Sequence, residues 1–141
     1  MSHEVVAALI LRSGLILLGK RSETRAFYPG VWDMFGGHVE PGEGHAQTLV
    51  RELLEELGIT PAQWEYLEMF TIPLAEHSSE STDQMVVHLY RVTEWDGIPA
   101  NRQPEEHSEI RWFSLAEACR LDLADGSYPM LFERYGPTVT E

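Results

Sequence analysis

Cysteine is almost absent: the 141 residues contain one, Cys119. A lone thiol excludes an intramolecular disulfide and fits a reducing, cytoplasmic setting. It lies in a helical pattern from Ser114 to Leu121 and reads as a buried structural thiol rather than a nucleophile. Long apolar runs are missing as well. No stretch approaches the roughly 18 residues that cross a bilayer. The opening MSHEVVAALILRSG has an acidic flank and no small-residue cleavage site, so it reads as a first strand and not as a signal peptide. Basic residues are scarce: 10 Lys and Arg stand against 23 Asp and Glu, for a net charge of −13. That excludes a nucleic-acid polymer, which needs a basic stripe. A small phosphorylated ligand stays open, because a divalent cation can bridge acidic protein and acidic ligand. The histidines at 3, 38, 45, 77, 88 and 107 form no zinc-ligand pairing with the cysteine. Repeats and low-complexity tracts are absent, and the length suits one domain, residues 1–141, with a genuine core.

What is present reads in order as strands around one helix. Glu4 to Arg12 and Leu15 to Gly19 predict a β-hairpin about Ser13-Gly14. Lys20, Arg21 and Arg25 then concentrate positive charge in a turn-rich segment, either to meet substrate phosphates or as a solvated loop. Thr60-Pro61 reads as a short helical turn, Tyr66 to Leu74 as a strand and Ala75 to Asp83 as a polar loop over the site. Gln84 to Trp95 is the clearest strand of the second half, and Ile110 to Phe113 a short one. Ser114 with Glu117 forms a capping box for a helix to Leu121, and Tyr128 to Tyr135 predicts a last helix.

The centre of the chain is GHVEPGEGHAQTLVRELLEELGI, Gly37 to Ile59. A helix should open near Glu43 or Gly44, after Pro41-Gly42, and stop at Gly58 as its C-cap. At about 100° per residue, Ala46, Val50, Leu53, Leu54 and Leu57 share an apolar arc. Glu52, Glu55 and Glu56 share a second arc. Such a face is ordinarily just solvated, yet like charges this close destabilise a helix by a few tenths of a kcal/mol. All-oxygen ligands on one rigid face suit Mg²⁺, with Mn²⁺ as an alternative. Gly36-Gly37, after the strand-like Val31 to Phe35, lets backbone groups approach an ion or phosphate closely.

The pattern resembles the Nudix hydrolase signature G-x5-E-x7-R-E-U-x-E-E-x-G-U, met at Gly37, Glu43, Arg51, Glu52, Leu53, Glu55, Glu56, Gly58 and Ile59. The resemblance implies an α/β fold, an α/β/α sandwich with a central mixed β-sheet. It implies a divalent-metal-dependent, MutT-like pyrophosphohydrolase that cleaves a nucleoside triphosphate or another nucleoside diphosphate-linked substrate. The metal ligands it implies are Glu52, Glu55 and Glu56, with the Gly36 carbonyl as a fourth. Arg51 would orient the glutamates, and Glu43 would support the loop–helix junction or a second ion. Glu52 or Glu55 would be the general base. Some relatives draw a further ligand from a loop before a tryptophan strand. Here Glu105, Glu106 and Glu109 precede Trp112, and Glu106 is the choice.

Substrate features are sparser. Trp32, Phe35, Phe27 and Tyr28 are aromatic rings that could stack a base, though such rings are more often core or rim residues. Asp125, in a segment faintly like the purine-reading stretch of oxidised-purine triphosphatases, would meet a base edge. ADP-ribose, dinucleoside polyphosphates and coenzyme A remain alternative substrates. A rival of another class is a nucleotide-sensing module without turnover. Association of two copies through the N-terminal strands or the aromatic C-terminal segment is left open.

Overall fold

A computed structural model describes residues 2–24, 29–73 and 84–137. Arg25, Phe27, Tyr28 and the 75–83 loop lie outside the described residues. Seven strands form one sheet: β1 (Ser2–Arg12), β2 (Leu15–Arg21), β3 (Trp32–Asp33), β4 (Phe35–His38), β5 (Thr60–Pro73), β6 (Gln84–Asp96) and β7 (His107–Phe113). Among the described residues three helices accompany it: α1 (His45–Leu57), α2 (Leu115–Ala118) and α3 (Tyr128–Tyr135).

β1 is the hub. It pairs in parallel with β6 along one edge, from Ser2 opposite Gln84 to Ile10 opposite Val92. Its other edge is shared end to end by β4, opposite Val5 to Ala8, and by β2, opposite Ile10 to Arg12. β7 runs antiparallel along β2, and β5 antiparallel along β6. The sheet is therefore mixed, as expected. Over Val5–Ala8 and at Ile10 both edges of β1 are paired, so that stretch has no free edge for pairing with a second copy.

Side chains alternate across β1 and separate two cores. Val6, Ala8 and Ile10 pack with Leu49, Leu53 and Leu57 of α1. Val5, Ala7 and Leu9 pack with Ala118, Leu131 and Phe132 of the α2–α3 side. Leu49, Leu53 and Leu57 are fully buried, each stabilising the fold by about 1.5–3 kcal/mol. The buried arc is rotated from the expected one: Leu54 is 53% exposed and Leu49 takes its place. That rotation carries Glu56 into the protein.

α1 starts and stops close to expectation. Gly44 is the N-cap, and its N–H donates to the Gln47 side chain at 2.7 Å. Gly58 closes the helix at φ 73°, where a Cβ would be strained and would also meet the Arg102 guanidinium. The reversal at Gly58 feeds straight into β5, so Thr60 and Pro61 lie opposite Asp96 and Trp95 as strand and not as a helical turn. β7 likewise starts earlier than expected, at His107. Ser114 caps α2 as anticipated, accepting from the Glu117 N–H at 3.1 Å, but the helix ends at Ala118. Among the described residues, no helix is long and apolar enough to cross a membrane.

Candidate active site

The site is built where β4 meets α1. Gly36 and Gly37 run beside β1 so tightly that a Cβ on Gly36 would strike the Val6 carbonyl. A Cβ on Gly37 would strike the Glu52 carboxylate. The glycine pair thus lets the helix bring its acidic side against the strand.

Arg51 organises this junction. Its Nε donates to Glu43 Oε2 at 2.7 Å and its Nη2 to Glu43 Oε1 at 2.9 Å, a bidentate pair. Nη1 donates to Glu52 at 3.0 Å and to Glu55 at 3.4 Å, and Nη2 reaches the His38 carbonyl at 3.1 Å. Glu43 also accepts from the Thr48 hydroxyl and the Glu40 N–H, which ties the loop to the helix. The Arg51 hydrogen bonds hold the Glu43 carboxyl down to about 2. Of the two roles left open for Glu43, its contacts are those of a loop–helix brace.

The glutamates differ in environment. Glu55 is half-exposed, its side chain 47% accessible. Glu52 is partly buried, and burial raises its pKa. Glu56 is 5% exposed and accepts from the Gly36 N–H at 3.3 Å. Burial first, and the Glu52 charge second, push the Glu56 carboxyl up to about 10. The contact from Gly36 is thus made by its N–H. Glu106 and His107 complete the cluster: a ligand atom from each lies within 4.8 Å of the others and of Glu56. His107 Nε2 is 3.9 Å from Glu56 Oε1, and its ring packs edge-on against Phe35. Sequence reasoning passed over His107, although its place directly after Glu106 at the start of a strand was a usable signal. Of the two other glutamates considered, Glu109 pairs with Arg111.

This donor set fits a hard divalent cation. It is dominated by carboxylate oxygens, and two of those carboxylates are disfavoured as anions until a positive charge joins them.

The substrate candidates divide between the two faces of the sheet. Phe35 is 1% exposed in the α1-side core, with no ring face left for a base. Trp32 is 8% exposed and stands edge-on to Phe113 in the opposite core. Burial of both rings replaces the expectation that they stack a base. Arg21 turns onto Asp33, 3.3 Å from its Oδ2, and Asp33 Oδ1 accepts from the Tyr128 hydroxyl at 2.7 Å. Burial raises the pKa of Asp33 and of Tyr128. Asp125 caps the approach to α3, accepting from the Ser127 N–H at 3.0 Å. Residues 122–124 hydrogen-bond to Trp32, so Arg21, Trp32 and Asp125 gather around β3 together with Asp33. Asp33 carried no signal in the sequence beyond its place between two aromatic positions.

The NUDIX domain family profile matches residues 1–133. The chain belongs to the NUDIX domain family. It is 39% identical over 129 residues to the CTP pyrophosphohydrolase of Escherichia coli K12, covering 91% of this chain and 87% of that one. It is 30% identical to the nucleoside triphosphatase NudI of an Enterobacter species, over 87% and 89% of the two chains. The solution structure of the E. coli ORF135 protein superposes with a TM-score of 0.74 at 34% identity, covering 98% of this chain and 95% of that one. The present chain is a Nudix hydrolase with every defined box position filled.

Proposed function

We propose that this Nudix hydrolase cleaves a nucleoside triphosphate to the monophosphate and pyrophosphate, as one domain over residues 1–141. The observation that supports this best is the Arg51-centred cluster, in which one guanidinium positions Glu52 and Glu55 beside the buried Glu56. A pool-cleaning role in the cytoplasm accords with this chemistry and with the lone thiol. CTP is the first substrate to test, given the name of the 39% identical relative.

Glu52, Glu55, Glu56 and Glu106, with the Gly36 backbone, would hold Mg²⁺, or Mn²⁺ in its stead. Such an ion supplies charge neutralisation to the phosphates and polarises the phosphorus–oxygen bonds. Glu55, the most open of the box carboxylates, accepts the proton of the attacking water, with Glu52 the other candidate. The water oxygen bonds to phosphorus as the anhydride bond breaks, and pyrophosphate departs. Arg51 keeps both carboxylates oriented, and His107 packs beside Glu56.

The test is phosphate release with Mg²⁺ and inorganic pyrophosphatase, across CTP, other canonical and oxidised triphosphates, ADP-ribose, dinucleoside polyphosphates and coenzyme A. Strong turnover of one triphosphate, lost in Glu55→Gln, is the expected result. Nucleotide binding with silence on the whole panel would overturn it in favour of a sensor.

A further inference from the structure

Histidines 3, 38, 45 and 88 form two ring pairs, His3 with His38 and His45 with His88. Two of them converge on one carboxylate. His88 Nε2 lies 2.7 Å from Glu4 Oε1, and His45 Nε2 lies 3.3 Å from the same oxygen. The two imidazoles stack with centroids 3.8 Å apart and planes 28° from parallel. His88 is 7% exposed and its Nδ1 has no hydrogen-bond partner. Its ring is therefore held by packing and from the Nε2 side alone.

We propose that Glu4, His45 and His88 form a second metal site, selective for an imidazole-preferring first-row divalent ion such as Zn²⁺. Ligand atoms about 2.0–2.2 Å from a common ion lie roughly 2.9–3.4 Å apart in tetrahedral or octahedral arrangements. The two measured separations fall in or beside that range, and all three ligand atoms lie within 4.8 Å of one another. Two imidazolium rings face to face would repel, whereas two neutral rings and one carboxylate neutralise a divalent charge in part and leave a position for water. The donor chemistry separates this site from the box: two nitrogens and one oxygen favour Zn²⁺, Ni²⁺ or Cu²⁺, while the box oxygens favour Mg²⁺. Position separates them too. His45 stands seven residues before Glu52 on α1, about 10 Å along the helix axis. Glu4 and His45 are open enough to solvent for an ion to enter, their side chains 47% and 39% accessible. Sequence spacing concealed the group, since its members come from β1, α1 and β6. An ion there would fasten the first turn of the helix that carries the box to the two central strands.

The test is Zn²⁺ titration of the full chain in saturating Mg²⁺, by calorimetry, with Co²⁺ substitution to read the visible ligand-field bands. One Mg²⁺-resistant equivalent is expected, retained when Glu52, Glu55 and Glu56 are all changed to Gln. His45→Ala should weaken it at least ~10-fold, and Glu4→Gln should shift the Co²⁺ bands. His45 is on the surface of the first turn, so its variant tests ligation without disturbing the core; His88→Asn is the buried counterpart. Absence of Mg²⁺-resistant Zn²⁺ binding, or binding untouched by His45→Ala, would overturn the proposal.

Discussion

Arg51 grips Glu43 through two nitrogens along one edge of its guanidinium at 2.7 and 2.9 Å, while the remaining nitrogen reaches Glu52 and Glu55. A lysine offers a point charge and cannot reproduce that fork. Arg51→Lys should therefore leave the fold intact and lower kcat by roughly 10–100-fold, because the carboxylates lose their common brace. Steady-state kinetics beside a thermal melt decide it. Unchanged turnover would remove Arg51 from the catalytic arrangement.

The buried Glu56 gives a pH signature. Its carboxyl rises from an ordinary 4.5 to about 10, so below 4.5 its contribution to stability is fully present, and it is lost as pH climbs towards 10. The metal-free protein should lose stability across that window, and Mg²⁺ should offset the loss by binding the charged form. Glu56→Gln removes this pH dependence and, at pH 8 without metal, raises stability by about 1–3 kcal/mol. The same variant should be inactive. Melting curves from pH 5 to pH 9, with and without Mg²⁺, make the comparison; a wild-type slope identical to that of Glu56→Gln contradicts the assignment.

Gly37 presents a simpler case. Its Cβ-free backbone is what admits the Glu52 carboxylate to the strand. Gly37→Ala should displace that side chain and reduce turnover roughly 10–100-fold. Shortening the partner in the double variant Gly37→Ala/Glu52→Asp should change the effect rather than simply add to it. Strict additivity in the kinetics would show that the two positions do not touch functionally.

Tyr128 and Asp33 form the polar link between α3 and β3. Tyr128→Phe removes one of the two donors to Asp33 Oδ1, the Met34 N–H at 2.8 Å being the other, and should cost about 0.5–1.5 kcal/mol of stability. Chemical denaturation measures it. A second change, Asp33→Asn, should couple to the first in a double-mutant cycle; independent effects would mean that the hydrogen bond contributes nothing.

The box was legible because its logic is local. Helical spacing fixes which side Glu52, Glu55 and Glu56 share, and glycine marks where the helix stops. The burial of that helix was less legible. Leu49 and Leu54 are equally apolar, and only packing against Val6, Ala8 and Ile10 selects Leu49. Phe35 and Trp32 looked alike as candidate stacking rings, yet they enter opposite cores. Asp33 and His107 gain meaning only from partners brought by long-range pairing, Tyr128 and Glu56. Thr60-Pro61 has the local chemistry of a turn, and only pairing with Asp96 and Trp95 of β6 makes it strand.

The parallel seam between β1 and β6 joins Val5 to Val87 and Ile10 to Val92, more than eighty positions away. Pairing at such separation forms slowly, since a long loop must close before any of its contacts help. During synthesis β1, apolar on both faces, leaves the ribosome before β6 and can find β2 and β4 well before its parallel neighbour exists. Until β6 arrives, one edge of the central strand lies open to other chains, a hazard for aggregation. The strand on which the whole sheet rests must wait for one made some eighty residues later before its pairing is complete.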